Sequence, residues 1–230
     1  MKYNRNINLL FAVLIIFLFS NCGNKTSETA EETQTTKTEN KKETSTATGS
    51  VTVTGNGETY SGNSFDTENG LNSTMNWISI EDEAKVNITV FPTSPHRVQV
   101  GIDIYKLAKG NTQLSGSYVV SKSDKEKGQA NISAKVFAEN GEMIMMGLEE
   151  GTLEVSQVNE KGIIKLTGSG KGFFGVTPNP DKKDPAAEGK TLEELEASGY
   201  FERYMPKKDV PVSFSIDVQI PDDRVMIQNY

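Results

Sequence analysis

Val210, Val212, Phe214, Ile216, Val218 and Ile220 place an apolar side chain at every second position across 11 residues, with Pro, Ser, Asp and Gln between them. Successive side chains of a β-strand point to opposite faces, so this spacing buries one face and leaves the other in water. The same period recurs at Val51 and Val53; at Val86, Ile88 and Val90; from Val98 through Val100 and Ile102 to Ile104; at Ile132, Ala134 and Val136; at Leu153 and Val155; and at Ile164 and Leu166. Breakers separate these runs: Gly55-Asn56-Gly57, Glu68-Asn69-Gly70, Lys109-Gly110-Asn111, Glu139-Asn140-Gly141 and Asn159-Glu160-Lys161-Gly162. Asn-Gly steps accept the positive φ angles of tight hairpins. Roughly nine to eleven strands joined by hairpins, without alternating helices, predict an all-β fold: an antiparallel β-sandwich or a flattened barrel. A parallel α/β fold is disfavoured, and the absence of a fixed internal period disfavours a propeller or solenoid.

One segment breaks the pattern. Thr191 followed by Glu194 matches a capping box, and Gly199 is a suitable stop, so one short helix is expected before the last strands, with Leu192 and Leu195 turned toward the sheet. The loop from Thr177 to Lys190 contains three prolines and reads as a lid or an insertion. Just after the helix, Tyr200, Phe201 and Tyr204 gather three aromatic rings within five residues. These three are the candidate binding residues, because aromatic side chains provide contact area at little entropic cost. If the helix continues past Gly199, Tyr200 and Tyr204 stack four apart on one side and stand exposed, while Phe201 packs with the leucines against the sheet.

Charge and composition narrow the chemistry. With 24 Lys and Arg against 31 Asp and Glu, the net charge of -7 is the wrong sign for a phosphate backbone, and no nucleic-acid partner is expected. A single Cys and a single His are too few for a zinc site of Cys or His type, and no intrachain disulfide can form. Gly168-Ser169-Gly170-Lys171-Gly172 lacks the Ser or Thr and the helix that a phosphate-binding loop requires, and reads instead as a strand with close backbone approaches. Glu81-Asp82-Glu83 and Asp222-Asp223 lack calcium-loop spacing, and His96 has no partners in sequence that would make a nucleophile, base and acid set. No catalytic residue, metal or cofactor is therefore assigned. A hydrolase whose carboxylates come together from distant strands is the alternative, because such pairs leave no local motif.

The first 22 residues carry an address. Lys2 and Arg5 precede an uncharged apolar run from Leu9 to Phe19, of signal-peptide length and too short to span a bilayer comfortably. The only cysteine, Cys22, follows three residues later, after Phe19-Ser20-Asn21 and before Gly23. This segment resembles a bacterial lipoprotein signal, with Asn21 and Phe19 departing from the residues usual in that box. The resemblance implies removal of residues 1–21, lipidation of Cys22 and a membrane partner engaged through the lipid anchor. Two or three acyl chains hold a protein stably on a membrane, each buried methylene contributing about 0.8 kcal/mol. Residues 23–48 contain nine Thr, four Lys and five Glu, and no Val, Ile, Leu, Phe, Tyr or Trp. Such a stretch cannot offset its conformational entropy by burial, so residues 22–48 are read as a lipidated cysteine and disordered tether, and 49–230 as the β domain.

Within the domain, the strand Gly151-Thr152-Leu153-Glu154-Val155, its turn and the return strand to Phe174 resemble a hairpin found in small all-β lipoproteins of Bacteroidota, as do Asn56 to Gly62 and Leu114 to Tyr118. The resemblance implies a single all-β domain without an assigned activity, anchored in the cell envelope at the outer membrane. The 177–205 insertion departs from it. The expectation is thus a non-catalytic binding module for a glycan, lipid or protein ligand.

Overall fold

A computed structural model describes residues 45–66, 72–178 and 186–230. Cys22, most of the tether and the middle of the 177–190 loop lie outside these residues. The described chain is all-β. Its strands are β1 (Thr48–Gly55), β2 (Glu58–Ser64), β3 (Thr74–Ile80), β4 (Glu83–Val90), β5 (Ser94–Pro95), β6 (Arg97–Ala108), β7 (Gln113–Ser121), β8 (Ala130–Phe137), β9 (Met143–Asn159), β10 (Ile163–Thr177), β11 (Lys207–Gln219) and β12 (Val225–Asn229). One helix, α1 (Leu192–Ala197), and a 3-10 turn at Tyr200–Tyr204 separate β10 from β11.

All 12 strands belong to one sheet, in the order β12-β3-β4-β6-β8-β7-β9-β10-β11-β1-β2-β5, which does not close into a barrel. Neighbours are antiparallel, as the hairpin turns require, with two exceptions: β12 lies parallel to β3, and β7 meets β8 at a single parallel pair, Val120 with Ala130. The alternation seen in the sequence is the inner face. On β11, Val212, Phe214, Ile216 and Val218 are each 2% exposed, and they join Val51 and Val53 from β1 and Ile164 and Leu166 from β10 in a single core. Strands far apart in the ladder, such as β3 with Met75 and Trp77, feed that same core, so the sheet bends back over itself.

The bend brings the β2 end of the ladder back to the segment that leads into β6. Gly62 on β2 has no room for a side chain there: a Cβ would lie 2.6 Å from the ring of Pro92. His96, next to β5, holds the same seam, with its Nδ1 2.9 Å from the Ser61 carbonyl and its ring edge-on to Tyr60 at 5.6 Å.

Two expectations need correction. The ordered domain starts before residue 49, since β1 begins at Thr48, Ala47 is buried in the core and the Ser45 hydroxyl donates to Asp223 at 3.2 Å. The capping box at Thr191 forms, with Glu194 N–H bonded to Thr191 Oγ1 at 3.2 Å and Thr191 N–H to the Glu194 carboxylate at 2.8 Å. None of the helix is buried, however, and Leu192 is 64% exposed instead of facing the sheet. The helix stops at Gly199 as expected, where this residue turns left-handed at φ 70°, and the chain then enters a 3-10 turn.

Candidate functional site

The aromatic cluster sits on the 3-10 turn, which packs against the end of β10. With about three residues per turn, side chains here point differently from those of a continuing α-helix. Tyr200 and Tyr204 are half-buried and Phe201 is 37% exposed, the reverse of the arrangement expected from helical stacking. Tyr200 is the hub of the three rings: its centroid lies 5.3 Å from that of Phe201 and 5.4 Å from that of Tyr204, both edge-to-face. Such edge-to-face pairs fix the rings relative to one another.

The turn is fastened to the sheet by a carboxylate that sequence reasoning did not single out. Glu142 closes the turn between β8 and β9 and is only 7% exposed. Its Oε1 accepts from the Tyr204 hydroxyl at 3.0 Å; its Oε2 accepts from Arg203 Nη2 at 2.5 Å and from Asn140 Nδ2 at 2.9 Å. The β8–β9 turn prepares this position, since Asn140 Oδ1 accepts the Glu142 N–H at 3.0 Å and Gly141 takes φ 83°. A buried charge is tolerated only when paired and hydrogen-bonded, and Glu142 has both kinds of partner. No local pattern marks it: in sequence it is one more charged residue beside an Asn-Gly turn.

Tyr60 on β2 belongs to the same neighbourhood. Burial, and then the hydrogen bond it donates to Glu58, push its phenol above its ordinary value of 10.0, while the nearby Arg203 charge pulls it down and Glu142 pushes it up. Both Glu142 oxygens are engaged by protein donors, so this carboxylate works as a staple for the insertion. Outward from the staple, Phe201, Met205 (61% exposed) and Leu192 give the insertion an apolar surface.

A concave feature lies at the β12 end of the ladder. There a cleft of about 230 Å³ opens between the β12-β3-β4 edge and the loops at Asn111 and Glu160, with Trp77 and Ile227 on one wall. Ile227 pairs with Trp77 across the parallel ladder and shares its face, yet Ile227 is 51% exposed while Trp77 is 3% exposed. Among the described residues, no group of three or more His, Cys, Asp or Glu is arranged to hold a metal ion. Of the glycines at 168–172 on β10, Gly170 and Gly172 lie close against the backbone of β9, whereas Gly168 meets the side chains of Leu153, Leu148 and Phe214. Gly170 faces Gly151, and the register slips between Lys171 and Gly172.

No family model matches this chain, and comparison with curated proteins and with solved structures finds no match.

Proposed function

We propose that this chain is an envelope lipoprotein, acylated at Cys22 and held at the outer membrane by its tether, whose β domain binds a glycan, lipid or protein ligand without chemistry of its own. The observation that carries the binding role is the insertion itself: exposed Phe201, Met205 and Leu192 on a segment stapled to the sheet through buried Glu142. Keeping apolar side chains in water is unfavourable unless a partner covers them, and a fixed aromatic anchor loses little entropy on binding. The apolar run ahead of the solitary thiol supports the anchor.

Two measurements test this reading. Metabolic labelling with a fatty-acid analogue should mark the wild type and spare Cys22→Ala; equal labelling removes the anchor. Co-sedimentation with phospholipid vesicles, peptidoglycan and purified surface polysaccharide should reveal one retained class, and Phe201→Ala/Met205→Ala should release it while melting like the wild type. Retention unchanged by that double variant removes the insertion as the binding surface.

A further inference from the structure

The two ends of the sheet are finished in different ways. At one end, β5 is two residues long and includes Pro95, which has no N–H to offer a further strand. At the other end stands β12, Val225-Met226-Ile227-Gln228-Asn229, with no charge and no proline. Soluble proteins normally protect such an edge with lysine, proline, a bulge or a covering element. Here it is flanked by apolar side chains instead: Met226 is 45%, Ile227 51%, Ile80 52% and Tyr230 76% exposed.

The backbone phase of this edge is fixed. In a parallel pair, one residue in two turns both its N–H and its C=O toward the neighbouring strand. The Tyr230 N–H reaches the Ser79 carbonyl at 3.0 Å, which puts Met226 and Gln228 in the phase facing β3. Ile227 and Asn229 therefore turn their N–H and C=O outward, as Val225 does its C=O, the Val225 N–H being bonded to Asp222.

We propose that β12 pairs antiparallel with β12 of a second copy of this chain, about a two-fold axis through Ile227. In that register Ile227 exchanges both backbone bonds with its counterpart, and each Asn229 N–H reaches the Val225 carbonyl of the other copy. Every outward group except the Asn229 C=O is used, its counterpart, the Val225 N–H, being bonded to Asp222. Sliding by two residues to pair Ile227 with Asn229 forms as many bonds but sets each apolar Ile227 against a polar side chain. The strand suits its own copy for a further reason: it is neutral, so self-pairing buries no charge despite a net charge of -7 per chain. Both Ile227 side chains fall on the core face, side by side at the mouth of the Trp77 cleft, and continue the core from one copy into the next. Because β5 blunts the other end, the contact closes as an isologous dimer and does not propagate.

The register gives a specific test. The full chain carrying Cys22→Ser, in detergent, has no other thiol. Residue 226 then faces residue 228 of the other copy as a non-hydrogen-bonded pair, with Cα atoms about 4.5 Å apart, within disulfide reach. Mild oxidation of a mixture of Met226→Cys and Gln228→Cys chains should give several-fold more cross-linked dimer than either variant alone. No excess in the mixture overturns the proposal. Independently, sedimentation should show the parent chain as a dimer and Ile227→Lys as a folded monomer. A monomeric parent, or a dimer that survives Ile227→Lys, overturns it as well; if Ile227→Lys does not fold, the cross-linking result decides.

Discussion

The guanidinium of Arg203 lies 2.5 Å from the carboxylate of Glu142, 61 residues earlier in the chain, and this pair holds the insertion to the sheet. The two partners differ in burial: the Glu142 side chain is 9% exposed and that of Arg203 55%. Solvent therefore weakens the ion pair as such, and the buried hydrogen bonds from Tyr204 and Asn140 carry more of the stability. Glu142→Ala should cost about 2 kcal/mol. In a domain of this size, that lowers the thermal midpoint by about 4–8 °C. Arg203→Ala should cost less, since water can replace an exposed guanidinium. Equal midpoints for Glu142→Ala and the wild type would remove the staple.

Tyr204 and Phe201 should separate stability from binding. The Tyr204 hydroxyl is spent on Glu142, so Tyr204→Phe should destabilise the domain by about 1 kcal/mol, the usual net worth of a single hydrogen bond. Phe201 is the exposed ring, and Phe201→Ala should stay within about 0.5 kcal/mol of the wild type in chemical denaturation. A large loss at Phe201 with none at Tyr204 would restore the arrangement expected from a continuing helix.

The contrast between β11 and the insertion explains what could be read from the sequence. Along β11, one local rule, period two, assigns every side chain to a face, and Val212 to Val218 obey it. The capping box at Thr191 is likewise local and forms as read. Beyond Gly199 the outcome depended on a single left-handed residue, which exchanged α for 3-10 geometry and so exchanged the roles of Phe201 and the two tyrosines. Glu142 was illegible because its partners are distant in the chain and its own neighbourhood looks like any polar turn. The parallel seat of β12 beside β3 was hidden for the same reason: a strand of five residues with Met, Ile, Gln and Asn in succession carries no clear alternation, and its partner begins about 150 residues earlier.

Tyr60 predicts how stability responds to alkali. In the unfolded chain it ionises near its ordinary value of 10.0, whereas burial and the bond to Glu58 keep it protonated to higher pH in the folded domain. Its contribution is complete below about pH 10, where both states hold the proton, and is lost above that pH, where only the folded state does. Stability should therefore fall as pH rises past about 10, and Tyr60→Phe should fall less steeply. Tyr118, raised by burial, adds to the slope in the same direction and persists in the variant. Denaturation midpoints across the alkaline range check this; identical slopes in wild type and Tyr60→Phe would refute it.

Two glycines on the sheet should behave oppositely although both lie inside strands. Gly172 follows the β10 bulge, and a Cβ there would sit 1.9 Å from the Gly147 carbonyl oxygen and 2.9 Å from its carbon. Those are backbone atoms of a strand anchored by the core on its other face, so the clash cannot be relieved by turning a side chain. Gly172→Ala should cost about 3 kcal/mol or more, by forcing β9 and β10 apart. Gly101 on β6 is the control: the nearest atom to a Cβ there is Ser133 Oγ at 4.0 Å, and its φ lies outside the left-handed region. Gly101→Ala should be neutral or stabilising by about 0.5 kcal/mol, because alanine gives up less backbone freedom on folding. Urea denaturation of both variants, with unchanged m-values, checks the pair. A tolerated alanine at 172 would mean that the glycines of this hairpin are not placed there by the closeness of the two backbones.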